Sequence, residues 1–194
     1  PYINQGNRGN PRAIACYATS LGAQRMRSRA GWCNQYPGNV FGTGRTNHGN
    51  GPRATHVSGV FARGAWAAKF RDMTDGQSQV IMMGEILPHK GDHFHNGWMS
   101  SNALWAATTG PINYPVAGRG EPRFNRRNYP GWGCSHWRNW STSQAFKSRH
   151  VGGAQFVMGD GSVQFLNEAI DYMTYQRLGD RRDGEPLGSK WNNK

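Results

Sequence analysis

The chain has 194 residues, enough for one domain with a substantial core and too few for two comfortable ones. Hydrophobic residues are only 36%, charged residues 18%, and glycine takes 27 positions, which excludes a helical bundle and favours a loop-rich β protein. Eight Trp, seven Tyr and eight Phe exclude simple disorder, and the net charge of +12 calls for an anionic or acidic partner surface, or for a solvated basic one.

The charge is uneven. No acid occurs in residues 1–71, whereas six of the eleven acids fall between Asp160 and Glu185. This suggests head-to-tail pairing between copies, or contact with an acidic polysaccharide. No RNA- or DNA-binding motif is present, so nucleic acid is not expected. No apolar run approaches the roughly 20 residues that span a bilayer, and no signal peptide opens the chain. Because it opens at Pro1 without an initiator methionine, either a processed product or part of a longer chain is expected.

Residues 1–58, rich in Gly, Asn, Arg and Pro, read as an extended, loop-rich segment. Cys16 and Cys33 within it are a disulfide candidate that would close a short loop and require an oxidising compartment, leaving Cys134 over. Residues 59–194 then read as one β-rich domain. Val60-Phe61 is strand-like, Ala65–Phe70 follows a break, and Thr74-Asp75-Gly76 is a turn. The apolar run Val80–Met83 then predicts a strand buried on both sides.

Residues 88–145 form a long irregular insertion containing Trp98, Trp105, Trp132, Trp137 and Trp140. Loops of this length usually serve recognition or assembly, so these tryptophans are interface candidates, with sugar stacking as the alternative. His89, Asp92, His93 and His95 are a candidate zinc set, since alternate side chains share one face of an extended segment. Asp72, Asp75 and Glu85 are a candidate calcium set without EF-hand spacing. Neither metal is required by the reading, and Glu85, placed after an apolar run, is expected to be buried against an arginine.

The stretch SRHVGGAQFVMGDGSVQFL predicts a β-hairpin. A two-residue type I′ loop at Asp160-Gly161 pairs Met158 with Val163 and Phe156 with Phe165. Ala154, Phe156, Met158, Val163 and Phe165 then share the buried face. Strand rise separates Asp160 at the tip from His150, which argues against an acid–base pair. Asn167-Glu168 supply an N-cap for a short helix ending near Leu178, with Gly179 as its stop. The expected class is α+β, predominantly β: an antiparallel sheet with long loops, a C-terminal hairpin and a short C-terminal helix. No nucleophile elbow, P-loop or zinc-protease motif appears, and no enzymatic activity is expected.

His150 followed by nine residues and Asp160-Gly161, in RHVGGAQFVMGDGSVQFLNEAID, closely resembles the C-terminal signature of the DUF1559, or H-X9-DG, prepilin-type family. RDMTDGQSQVIMMGE, TTGPINYP and TYQRLGDRRDGEPLG are similar to further family segments, so the resemblance spans about residues 36–188. It points to His150, Gly153, Asp160, Gly161, Glu85, Asp75 and Gly76 as motif positions of structural weight. It implies a pilin- or pseudopilin-like globular domain, exported to the surface or medium, that associates with itself in a filament, tube or layer. A pseudopilin of a type II secretion-like machine or a glycan-binding surface protein is the alternative. Family members carry a long hydrophobic N-terminal helix, the only implied membrane contact, and these 194 residues contain no such run.

Overall fold

The computed structural model describes residues 3–5, 11–38, 54–64, 66–100, 102–118, 132–185 and 187. β1 (Ile3–Gln5) and β2 (Pro11–Ala13) pair antiparallel as a small separate ribbon. The main sheet has five strands: β3 (Tyr17–Ser20), β4 (Ile81–Glu85), β5 (Trp105–Ala106), β6 (Gly153–Met158) and β7 (Val163–Asn167), in the order β5-β3-β4-β6-β7. Two one-turn helices, α1 (Trp132–Ser135) and α2 (Trp140–Ser143), precede β6, and α3 (Tyr172–Gly179) follows β7. The expected α+β, mostly β class holds. One pairing departs from the antiparallel expectation, because the short β5 runs parallel to β3.

The loop-rich segment 1–58 therefore supplies a central part of the sheet, with β3 hydrogen-bonded to both β4 and β5. No strand forms at Val60-Phe61. Residues 58–60 are bends, and Phe61 makes one isolated bridge to Ala67. β4 is fully buried at Ile81, while Met82 and Met83 are half-buried. An irregularity between Ile81 and Met83 shifts the register there, so the run is not covered evenly on both sides.

The hairpin forms with a different register. Val157 pairs with Val163 and Gln155 with Phe165. The loop has three residues rather than two: Gly161 N–H donates to Met158 O, Met158 N–H donates to Ser162 O, and Gly161 has φ +84°. This is a type I turn closed by a left-handed glycine. One added loop residue moves every β7 side chain to the opposite face. Ala154, Phe156 and Met158 are buried as expected and Leu166 joins them, whereas Val163 and Phe165 stand 65% and 46% exposed.

The covered face packs against α3. Phe156 sits edge-on to Phe146 at 5.1 Å and to Tyr175 at 6.3 Å between ring centres. A Cβ on Gly84 would meet both phenylalanine rings within 2.7 Å, so glycine is needed beneath them. α3 starts later than expected. Asp171, not Asn167, is its N-cap and accepts from Thr174 N–H at 2.8 Å, while Asn167 accepts from Ala169 N–H in a turn before it. The opposite face, by register, carries Tyr17, Thr19, Met83, Glu85, Gln155, Val157, Val163 and Phe165. No helix among the described residues is long and apolar enough to cross a membrane.

Candidate functional site

The motif residues assemble into clamps on the sheet. Glu85, at the end of β4, accepts from Gln155 N–H at 2.8 Å and lies 3.3 Å from His150 Nε2. The expected arginine partner is thus a histidine. The acid side chain is 14% exposed and the imidazole 60%, so the pair sits at the rim of the open sheet face. Asp160 is elsewhere, accepting from Ser162 N–H at 2.9 Å and Ser162 Oγ–H at 2.7 Å. These hydrogen bonds hold its carboxyl below the usual range. His150 and Asp160 each serve a separate local role.

Asp75 works across the chain. Its carboxylate accepts from Asp183 N–H at 2.7 Å and Gly184 N–H at 3.1 Å, fastening the tail after α3 to the turn before β4. Asn113, within the TTGPINYP segment, is the one non-glycine described residue at positive φ, 58°. Its amide donates to Gly153 O and to Glu168 Oε2, and its carbonyl accepts from Ser148 N–H at 2.7 Å. Gly153 has no room for a side chain: a Cβ would lie 2.1 Å from Leu166 O.

A second constellation lies in the insertion. Trp105, expected at an interface, is buried in the core, with Trp140 edge-on at 5.6 Å. The guanidinium of Arg63 lies 4.4 Å from the Trp105 ring centre and 5.3 Å from that of Trp140. His93 packs against both tryptophans, and its Nδ1 lies 3.0 Å from Asn102 Nδ2. Nδ1 therefore accepts and the imidazole is neutral. Burial pushes the His93 pKa down to about 4, with Asp92 opposing and Arg63 and His95 reinforcing the shift. Asp92 accepts from Trp140 Nε1–H at 2.8 Å and pairs with Arg138 at 3.9 Å.

His93 and Asp92 thus face aromatic and amide partners, His95 lies beside Trp137, and His89 is exposed. Asp72, Asp75 and Glu85 likewise serve three different partners. Among the described residues no three His, Cys, Asp or Glu side chains come together to hold a metal ion. Of the remaining interface candidates, Trp98 is 55% exposed beside Met99 at 82%, Trp137 is half-buried under Arg138, and the Trp132 side chain lies outside the described residues.

The disulfide also differs from expectation. Cys33 bonds to Cys134, closing 101 residues, and Cys16 is the free thiol. Cys33 N–H donates to Ser141 Oγ, and Ser141 Oγ–H donates to Met26 O, so the fold brings the 24–33 loop against α2 rather than against β3.

Two buried cations, Lys147 and Arg181, and the half-buried Arg63 escaped sequence reading. Arg63 and Lys147 carry no sequence signal. Arg181, within the TYQRLGDRRDGEPLG segment, donates to Val57 O, Gly59 O and Ala54 O. Lys147 is fully buried and donates to Thr142 O at 2.7 Å. Desolvation, with Lys90 repelling, lowers its pKa to about 7. It borders an open pocket of about 170 Å³ with Leu87, Tyr114 and Val116.

No curated protein and no solved structure matches the chain. Residues 14–172 match the family described as a protein of unknown function (DUF1559), a span that includes every strand of the five-stranded sheet and reaches the first residue of α3. The chain belongs to the DUF1559 family.

Proposed function

We propose that the chain is the globular part of an exported, pilin-related structural subunit that associates with copies of itself, with no chemical reaction in its role. The observation that carries this reading is the uncovered sheet face ending in β7. Val163 and Phe165 stand exposed there, with Tyr17 on the same face at 46%. β7, VQFLN, contains no charge and no proline, the devices by which edge strands usually avoid pairing with another chain. Among the described residues no strand lies on its outer side. A disulfide within the chain accords with an oxidising, extracellular setting. In this reading a second copy covers the β7 edge and its apolar side chains.

Sedimentation and negative-stain imaging of purified protein test this. Ordered oligomers or polymers are expected from the parent chain and dispersed protein from Phe165→Lys. A parent chain that stays monomeric up to high concentration would sink the reading.

A further inference from the structure

Ten of the eleven acids lie among the described residues, and each has a partner inside the chain. Asp72 accepts from Lys69 N–H, Glu168 from Asn113, Asp180 from Arg182 N–H and Asp183 from Glu185 N–H, while Glu185 pairs with Arg177. Asp75, Glu85, Asp92, Asp160 and Asp171 are engaged as described above. The cations are distributed differently. Arg25, Arg27 and Arg29 are all exposed and meet no carboxylate among the described residues.

These arginines stand on a fixed loop. Met26 between them is buried, and its carbonyl accepts from Ser141 Oγ–H at 3.0 Å. Ser28 Oγ–H donates to Arg138 O, and Ser28 and Gly31 exchange backbone hydrogen bonds at 2.9 and 3.0 Å, which puts Arg29 at the tip of a tight turn. The Cys33–Cys134 bond closes the base of the loop. Arg25 lies 4.1 Å from the ring centre of Trp32, and Arg138, flanking the loop, lies 4.4 Å from that of Trp137. A guanidinium held over an indole loses less freedom when its N–H groups receive an oxyanion.

We propose that this disulfide-pinned arginine loop binds an anionic polysaccharide, with Arg25, Arg27 and Arg29 receiving its sulfate or carboxylate groups. Three cations in succession on one rigid loop suit a chain that repeats its charge. The half-buried rings of Trp32 and Trp137 already carry guanidinium groups, so neither is an open platform for stacking a nucleobase. Met26 is buried, so the loop has no apolar wedge for a lipid surface. A second copy of the chain fits less well, because its described carboxylates are already engaged. The inference goes beyond self-association and uses a different surface.

The test is binding of heparin and of polygalacturonate to the disulfide-intact chain, at concentrations where sedimentation shows it dispersed, so that failure of assembly leaves the result readable. Arg25→Ser/Arg27→Ser/Arg29→Ser is expected to bind about tenfold more weakly and with a shallower salt dependence. Removing exposed charge elsewhere, as Lys69→Ser/Arg71→Ser, is expected to change little. In the parent chain, heparin is expected to protect these three arginines from phenylglyoxal, a readout independent of any variant's folding. Equal binding by the triple variant, absence of protection, or tighter binding of duplex DNA or anionic vesicles than of heparin at equal ionic strength would overturn the proposal.

Discussion

His150 Nε2 lies 3.3 Å from Glu85 Oε1, and the other oxygen of that carboxylate accepts from Gln155 N–H, so one acid joins the end of β4 to β6 and to the turn before it. The two partners are unequally exposed, which makes their removal unequal. His150→Ala is expected to cost at most about 1 kcal/mol, as for rim ion pairs. Glu85→Ala, which leaves an inner backbone donor without its acceptor, is expected to cost about 1–3 kcal/mol. Urea titrations of both variants check the order; a larger loss from His150→Ala would refute it.

Two hairpin glycines should respond very differently to alanine. Gly161 has open space around it and only its positive φ to protect, so Gly161→Ala is expected to cost about 1 kcal/mol. Gly153 abuts Leu166 O and the Phe165 ring, so Gly153→Ala must push β6 and β7 apart and is expected to abolish the native melting transition.

Reducing the Cys33–Cys134 bond releases a 101-residue loop, and loop-closure entropy sets the expected loss at about 4–5 kcal/mol. Cys16→Ser should leave the oxidised melting temperature within error. Thermal melts with and without dithiothreitol distinguish this pairing from Cys16–Cys33, which would be broken by that substitution.

Lys147 ties stability to alkaline pH. Its folded pKa, about 7, is below the ordinary lysine value of 10.5. Between these values the unfolded chain binds more protons than the native one, so stability rises from about pH 7 to about pH 10. Below pH 7 the cost of burying the ammonium is fully present. Tyr172 and Tyr175, whose pKa values burial raises, reverse the trend above about pH 10. Lys147→Met should remove the rise and add on the order of 1–4 kcal/mol at pH 6. Denaturation at pH 6, 8 and 9.5 reads both effects.

His93 produces the matching effect in acid. Its native pKa of about 4 is below the ordinary 6.5, so stability falls as pH drops from about 6.5 to about 4. Arg63, Asp92 and His95 face it, and of these only Asp92 favours its protonation. His93→Gln should flatten the acid limb of the stability curve; an unchanged limb would assign that limb to other groups.

The α+β class and the existence of β4 and of the C-terminal hairpin were legible in sequence. Alternation and turn chemistry are local and survive in one dimension. The hairpin register was not legible, because Gly159 and Gly161 permit both a two- and a three-residue loop, and the choice between them decides whether Phe165 is buried or exposed. The Cys33–Cys134 pairing depends on the 24–33 loop meeting α2, a contact no spacing rule encodes. Trp105 and Trp98 look alike in sequence, yet one lies in the core and the other projects from it. Lys147 gave no signal, because it lies between apolar Ala145-Phe146 and polar Ser148-Arg149, and no local pattern says that its ammonium is buried against Thr142 O.

Arg181 reaches the carbonyls of Val57, Gly59 and Ala54, and Asp75 captures the backbone at Asp183 and Gly184. The 54–59 loop and the turn at Asp75 must therefore wait for the 181–184 segment before they can close. The 54–59 loop has its buried carbonyls unmet until then, and β4 lacks its second neighbour until β6 is present. A chain so arranged is expected to close as one cooperative unit, with the 54–59 loop open until the 181–184 segment is in place.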